Sequence, residues 1–543
     1  MIFETLLRHP LPSSDLLSYI FDHPQYDQDE PLYVDVHCPS RSISCNQARR
    51  VIRRLIAGLR VWGVSPGDCV AIHSFNDIYY SMLVLAIIGV GGIFTGTNPA
   101  YTTLELAHHY KASRTRFVIA EPELLDPVQG AMKQLHMSPE HLRVFNVHDQ
   151  PVPAGLQAWT HLLDHEEADW VRFYDAHTCR RTAAGRLFSS GTTGLPKAVT
   201  ITHQNLIAQH ELVFEVHPKP YRVSCVMPLP IFHAAAAPLA HISVLKAGQP
   251  IYMMRRFDLL GYLRAVETHQ ATEAILVPPI VIAIVMNPLS SERGYLKSLR
   301  FACCGAAPLD RDMQARFRKL MAPDAPFTQV WGMTETCCIA MHFPYPEPDD
   351  GSVGRLGANM EAKLVNEQGE NISAYNVRGE LCVRGPTVTP GYFNNEAANA
   401  ESFDDDGWFH TGDIAYCDSQ TRKWYIVDRK KELIKVRGFQ VAPPELEAVL
   451  LSHPLIVDVA VIGLRGIVPD EELPRAYVVR RPGGEALTED EVKEHLLSRL
   501  AKYKALTGGV RFVDAIPKNA SGKILKKVLR EESQKEIGQK VKL

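Results

Sequence analysis

The 543-residue chain has no surplus charge of either sign: 58 Lys and Arg against 61 Asp and Glu leave a formal net charge of −3. A dedicated nucleic-acid binder would show a basic excess or a long basic block, so no nucleic-acid partner is expected. Long apolar runs are missing too. Residues 82–94 form a run of only 13, with three glycines in it, and residues 274–286 are broken by Pro278 and Pro279. Neither reaches the roughly 20 residues of a membrane span, and both read as buried core elements. The first ten residues lack the apolar core of a signal peptide. The 11 cysteines are odd in number, and the adjacent pairs Cys303-Cys304 and Cys337-Cys338 lack C-x-x-C spacing. That excludes a zinc ribbon or a disulfide framework and suits a reducing, intracellular compartment. No repeat of 20–50 residues and no low-complexity tract occurs. What remains, 46% hydrophobic and 22% charged, is ordinary globular composition.

Length suggests three or four structural units with ample core. Ser44 is placed to cap a helix whose apolar face is Ala48, Val51, Ile52, Leu55, Ile56, Leu59 and Trp62. Arg49, Arg50, Arg53, Arg54 and Arg60 fall elsewhere on it and read as a solvated face. Residues 69–73 form a strand after the turn at 65–68. Strand–helix alternation to about residue 340 predicts α/β layers. From Gly351, short strands such as GELCVR (379–384) predict a β-rich subdomain, about 351–428. The fold class expected is therefore α/β: a large N-terminal domain, 1–428, of layered subdomains plus that β-rich part, and a small mobile α+β domain, 429–543. In the latter, 457–462, 477–479 and 510–513 read as strands, and Thr488 with Glu491 forms a capping box opening a helix through Leu500.

The strongest chemical signal is LFSSGTTGLPK (187–197). Four hydroxyls and two glycines fill residues 189–194, and Lys197 closes the run. Small residues let backbone N–H groups approach a polyphosphate, the hydroxyls add donors and the lysine adds charge. A Walker loop is excluded by spacing, because it needs G-x-x-x-x-G-K-[S/T].

This segment resembles the phosphate loop of the acyl-adenylate-forming superfamily, which includes acyl-CoA synthetases, 4-coumarate–CoA ligases, firefly luciferases and peptide-synthetase adenylation domains. Further segments resemble that family's motifs in the expected order: PLPIFH (228–233), CGAAPL (304–309), WGMTE (331–335), GWFHTGD (407–413), VDRKKELIKVRGFQ (427–440) and PKNASGK (517–523). The resemblance covers essentially the whole chain. It implies an ATP- and Mg²⁺-dependent ligase that makes an acyl-adenylate from a small carboxylic acid and then an acyl-CoA. By the same analogy Ser189, Ser190, Gly191, Thr192, Thr193, Gly194 and Lys197 hold the β- and γ-phosphates. Thr334 contacts a phosphate and Glu335 ligates Mg²⁺. Gly305, Ala306, Ala307, Pro308 and Trp331 flank the adenine. Asp413 accepts from the ribose hydroxyls with Arg429 in support. Lys523 bridges the carboxylate and the α-phosphate. His233 lines the junction of acyl pocket and thiol tunnel. The hinge corresponds to Lys431, about which the C-terminal domain turns to bring Lys435, Gly438 and Gln440 to the CoA step. Lys526, Lys527 and Arg530 read as solvated charges.

The chain departs from the family in places. Ala198 replaces a usual glycine. Val330 stands where 4-coumarate–CoA ligases carry glycine, and residues 234–237, including Ala234 and Ala235, are smaller than in those ligases. One wall of the acyl pocket is narrowed and another opened, which speaks against strict 4-coumarate specificity without naming a substrate; the acid expected is aryl or medium-chain aliphatic. Nothing in 234–238 pairs an α-ammonium, so an amino acid is not the expected substrate. The alternatives are an enzyme loading a carrier-protein phosphopantetheine in trans, a luciferase-like adenylate oxidase and a nucleotide-binding regulator without catalysis. The last is disfavoured by intact Lys197, Glu335, Asp413 and Lys523. The cytoplasm is the expected location, with the peroxisome as the alternative because Val541-Lys542-Leu543 resembles the S-K-L address in its last two positions.

Overall fold

The computed structural model describes residues 1–5, 7–189, 195–429, 432–436, 439–468, 471–500, 502–519, 522 and 524–540. Two seven-stranded sheets form its centre. The first runs, in spatial order, Lys197–Thr202, Ala183–Ser189, Ile93–Gly96, Cys69–His73, Thr115–Ala120, Leu142–Val144 and Gln157–Ala158. Only its 197–202 edge strand is antiparallel to its neighbour. The second runs Phe327–Gln329, Phe301–Cys304, Glu273–Leu276, Cys225–Met227, Ile251–Met253, Pro31–Asp35 and Ser42–Ser44, with only the last pair antiparallel. Helices cover both, and one hydrophobic core joins them.

The helix Cys45–Val61 starts at Ser44, whose side chain accepts from the Gln47 N–H in a full capping box. Ala48, Ile52, Leu55, Ile56 and Leu59 are buried. Arg53 pairs with Glu167 and Asp169 at 2.9 and 3.1 Å, so part of the arginine face closes onto a neighbouring acidic loop. The 82–94 run is the helix Tyr80–Gly89 followed by strand Ile93–Gly96. That helix is buried on every side between helix Cys45–Val61 and the turn Leu239–Ser243, which is why it has no polar face. In 274–286 the prolines start the helix Pro278–Met286 rather than break it, since the first helical turn needs no N–H donor. Among the described residues no helix is long and apolar enough to cross a membrane.

The β-rich part begins earlier than its turn residues suggested. A three-stranded sheet already takes in Trp331–Met333, Cys338–His342 and Arg355–Leu356. A five-stranded antiparallel sheet follows, in the order Phe3–Glu4, Glu361–Val365, Gly379–Arg384, Phe409–Cys417 and Trp424–Arg429. Its first strand comes from the extreme N-terminus, a two-residue pairing no periodicity announces.

The core of this sheet ends at Trp424, and a separate core begins at Ile434. There a hairpin of Ile434–Val436 and Phe439–Val441 precedes a three-stranded sheet, Ile456–Val468, Glu471–Arg480 and Gly509–Phe512. The helix capped by Thr488 with Glu491 spans Glu489–Leu497, three residues short of the expected end. The final helix, Lys526–Lys540, is where the reading of solvated charges fails for two residues: Lys526 pairs with Glu447 at 2.9 Å and Arg530 with Glu432. The helix packs on strand Ile456–Val468, which brings these cations against the domain; Lys527 stays exposed.

Candidate active site

One cavity of about 620 Å³ lies where the two large sheets meet the β-rich part. The hairpin of strands Ala183–Ser189 and Lys197–Thr202 brings Ser189 opposite Lys197 at its rim. The connecting residues Ser190, Gly191, Thr192, Thr193 and Gly194 lie outside the described residues. The hairpin is held from outside by segment 389–393, which lies along it: the Thr200 N–H donates to the Gly391 carbonyl (3.0 Å) and the Phe393 N–H to that of Ala198 (2.8 Å). Ala198 itself is buried in this contact.

That segment delivers Tyr392, a cavity residue the sequence reading missed. Its hydroxyl donates to Glu335 Oε1 at 2.8 Å, and Lys197 Nζ sits 4.8 Å from its ring centre. Burial and the adjacent Glu335 carboxylate both hold the phenol protonated. Glu335 and Thr334 occupy a short 3₁₀ turn, both on the cavity wall and both nearly buried. Gly332 just before them has to be glycine, because a Cβ there would lie 1.6 Å from the Cys338 carbonyl oxygen on the paired strand. The signal for Tyr392 in the sequence is only an aromatic after Pro390-Gly391, and such turns are common.

Gly305, Ala306 and Val330 line the cavity at the ends of strands Phe301–Cys304 and Phe327–Gln329. Ala307 and Pro308 lie beyond its wall. Ala306 has φ of 70°, an unusual conformation for a residue with a Cβ. Trp331 is buried in the core of the β-rich part, and its indole N–H donates to Asp413 Oδ2 at 2.8 Å. Arg429, the cross-strand partner of Asp413, places its Nε 3.4 Å from the other oxygen, Oδ1. Arg429 faces the cavity, while Asp413 is 5% exposed and held by the Trp331 hydrogen bond and the Arg429 ion pair.

The inner part of the cavity is apolar. His233, Ala234 and Ala235 line it with Ile275, Val330, Cys338 and Ile339. Ala236 and Ala237 pack into the core instead, so only half of the alanine run opens the pocket. Burial lowers the His233 imidazole to about 4, so the ring is neutral at pH 7. Its Nδ1 accepts from the Ala235 N–H at 3.2 Å, which leaves the proton on Nε2. The Cys338 thiol is pushed up to about 12 by burial and stays protonated.

A second cavity, of about 520 Å³, shares Leu229, Val277 and Asn519 with the first, and Lys518 and Gly522 reach it from the C-terminal domain. Gly522 has φ of 79° and sits so close to Pro279 that a Cβ would fall 2.4 Å from its Cγ. Lys523, the next residue, lies outside the described residues, as do Lys431 and Gly438. Lys435 and Gln440 face each other across the hairpin Ile434–Val441, and their side chains are outside the description. Asp428 opens this stretch. Burial raises its carboxyl to about 7, against the pull of Lys526. Among the described residues no group of three or more His, Cys, Asp or Glu could hold a metal on its own.

Comparison with known proteins converges with this geometry. The model of the AMP-binding enzyme family matches residues 22–393, and that of the AMP-binding enzyme C-terminal domain matches 445–523. Phenylacetyl-CoA ligase epaB of Aspergillus niger is 53% identical over 531 residues, 97% of this chain and 98% of the relative. Acyl-CoA ligase azaF of the same species is 53% identical over 523 residues, 96% and 98% of the two chains. Among solved structures, ATP-bound MatB from Rhodopseudomonas palustris is 26% identical, with a TM-score of 0.83, over 95% of this chain and 98% of that one.

Proposed function

Because this chain belongs to the AMP-binding enzyme family, we infer that it is an ATP-dependent acyl-CoA ligase and read its cavity as the site of both half-reactions. In the first, a carboxylate oxygen bonds to the α-phosphorus of ATP and the bond to pyrophosphate breaks. In the second, the CoA sulfur bonds to the acyl carbon and AMP leaves. Every participant in the first step is anionic, so the protein has to supply positive charge, donors and alignment rather than a nucleophile.

The observation that carries this reading is a single cavity lined by Ser189, Lys197, His233, Gly305, Val330, Thr334, Glu335 and Arg429, drawn from separate stretches of chain. On it, the 189–197 hairpin takes the terminal phosphates and Lys197, steered by the Tyr392 ring, adds charge there. Asp413 receives the ribose hydroxyls, its carboxylate aimed by Trp331 and Arg429. His233, neutral with its proton on Nε2, donates to the acid rather than removing a proton from the thiol. Lys523, following Gly522 at the second cavity, is assigned to the carboxylate and the α-phosphate.

Mg²⁺ fits Glu335. One carboxylate oxygen is fixed by Tyr392 and the residue faces the phosphate side of the cavity, and a hard cation takes one carboxylate plus phosphate oxygens. When bound, it supplies charge neutralisation at the phosphates. For the CoA step we assign a rotation of the C-terminal domain about a hinge near Lys431, which brings Lys435, Gly438 and Gln440 to the site. The apolar inner wall and the phenylacetyl-CoA ligase relative support an aryl or medium-chain aliphatic acid.

The test is acid-dependent ATP–pyrophosphate exchange over a panel including phenylacetate, followed by product analysis with CoA. Exchange and acyl-CoA are expected. No exchange with any acid, in protein shown to bind ATP, would refute the ligase reading. Exchange without acyl-CoA would move the acceptor to a carrier protein or to oxygen.

A further inference from the structure

Segment 389–393 is one support of the phosphate hairpin. A second comes from the helix Thr103–Ser113, which follows strand Ile93–Gly96 and is capped by Thr102 with Glu105. Two adjacent histidines on this helix, His108 and His109, each take one strand of the hairpin. Neighbouring side chains point about 100° apart around a helix, which lets them reach different strands. His109 is buried against strand Ala183–Ser189. Its ring stacks on that of Phe188, with centres 3.7 Å apart and planes 21° from parallel. Its Nε2 lies 2.8 Å from the Thr95 hydroxyl, which itself donates to the Arg186 carbonyl at 2.7 Å. A hydroxyl has one proton to give, so His109 is the donor to Thr95. From the same strand Arg186 Nη1 donates to the carbonyl of Ser113, the last residue of the helix, at 2.5 Å. A cation suits that end of a helix. The Arg186 guanidinium also lies 3.5 Å from the Phe393 ring centre, so this strand is tied to both supports.

His108 takes the other strand. It is half-buried, and its Nε2 lies 2.9 Å from the Pro196 carbonyl oxygen. A carbonyl only accepts, so the proton is on Nε2. Pro196 stands just before strand Lys197–Thr202, and the strand pairing begins with Lys197 opposite Ser189. The Pro196 carbonyl therefore lies beyond the ladder, and among the described residues His108 is the donor it meets. The peptide unit is planar. A carbonyl held toward the helix sets the whole Pro196–Lys197 plane, sends the Lys197 N–H the opposite way and fixes the Lys197 Cα. The lysine is then set at both ends, its backbone by His108 and its Nζ by the Tyr392 ring 4.8 Å away.

We propose that His108 is a positioning residue for the terminal phosphates of ATP: through the Pro196 carbonyl it fixes the Pro196–Lys197 peptide, and with it the lysine that meets those phosphates. The proposal rests on the reading of the 189–197 hairpin as the seat of the terminal phosphates and deepens it. AMP lacks the phosphates that the hairpin takes, so the hold of His108 on Lys197 strengthens binding of ATP and leaves AMP untouched.

The experiment measures Kd for ATP with Mg²⁺ and for AMP, without acid, by titration calorimetry on the full chain and on His108→Phe, His108→Ala and His108→Gln. Phe keeps a ring without a donor, Ala removes both, and the Gln amide can place an N–H where Nε2–H stands. His108→Phe and His108→Ala are expected to weaken ATP about tenfold, the scale of one buried hydrogen bond. AMP should stay within about twofold, and His108→Gln should recover most of the ATP affinity. Thermal melting checks folding, and the ratio of ATP to AMP affinity within one variant is independent of the amount folded. Equal weakening of both nucleotides, unchanged ATP affinity in His108→Phe, or His108→Gln no better than His108→Phe would each overturn the proposal, because packing rather than the hydrogen bond would then be at stake. Unaltered protein that binds ATP but gives no acid-dependent pyrophosphate exchange would remove the ligase reading alone, since the nucleotide ratios do not depend on an acid.

Discussion

Replacing Tyr392 by Phe isolates one hydrogen bond at the centre of the site. The 389–393 segment stays in place without the hydroxyl, because its position rests on backbone bonds from Thr200 to Gly391 and from Phe393 to Ala198. The ring beneath Lys197 is also retained. What is lost is the 2.8 Å donor to Glu335 Oε1. Glu335 is 6% exposed, so bulk water cannot readily replace that donor. A hydrogen bond to a charged acceptor is worth about 1.5–3 kcal/mol. Two effects then compete. An under-solvated carboxylate attracts a cation more strongly, whereas one that is no longer held presents its oxygens in the wrong direction. Loss of the outer partner of a metal-binding carboxylate usually costs about 10- to 100-fold in affinity, so orientation wins. The assay is a Mg²⁺ titration of pyrophosphate exchange at saturating ATP and acid. Half-saturation should move to about 10–100-fold higher Mg²⁺, while the rate at saturating Mg²⁺ stays within about threefold, since no reacting group is removed. An unchanged half-saturation point with a depressed maximal rate would refute the reasoning and place Tyr392 against substrate instead.

Lys523→Ala should lower adenylation by orders of magnitude while thioester formation from supplied acyl-adenylate largely survives, and Lys435→Ala or Gly438→Leu should do the reverse; equal loss of both steps in single-turnover assays would contradict a site served by two faces of the C-terminal domain. Trp331→Phe keeps a ring in the core but removes the donor to Asp413 Oδ2, so the KM for ATP should rise about tenfold while the KM for the acid holds; equal changes in both would count against Asp413 as the ribose acceptor. Stability should fall as pH drops below 6.5. Burial lowers His73, His203 and His241 to about 4 and His109 to about 3. The unfolded chain therefore takes up protons first, and the stability these groups give above pH 6.5 is lost toward pH 4, at about 1.4 kcal/mol per group per unit. Asp428, raised by burial to about 7, opposes this, because its contribution grows as pH falls from 7 toward 4; Glu121 and Glu273, also raised by burial, add to the opposition nearer their ordinary range. Four histidines outweigh one aspartate between pH 7 and 5.5, so the urea midpoint should drop over that interval, and a flat profile would mean that these rings are not buried neutral.

Much of this protein follows from local rules that need no tertiary context. Ser44 with Gln47, and Thr488 with Glu491, place helix starts because capping is satisfied within one turn. Pro278 and Pro279 mark a helix beginning for the same local reason. The segments 187–197, 304–309, 331–335 and 407–413 are legible because each packs unusual residue types into a short stretch, and the hairpin that pairs Ser189 with Lys197 is the simplest way to close such a loop.

Other features exist only once distant segments meet. The strand Phe3–Glu4 is found through a partner some 360 positions away, and two residues carry no periodic signal. Tyr392 becomes part of the site because segment 389–393 zips along 198–200, and nothing in its own neighbourhood marks it. Trp331 looks like a residue for a flat ligand until its N–H is found committed to Asp413. The alanine run reads as four equal openings, yet only Ala234 and Ala235 face the cavity, because the chain turns there and sends the next two into the core. Residue types in order were enough to specify the reaction, since phosphate chemistry demands particular side chains at close spacing. The shape of the space around Val330 came from strands brought side by side, because a cavity is a property of packing between segments and no segment contains it.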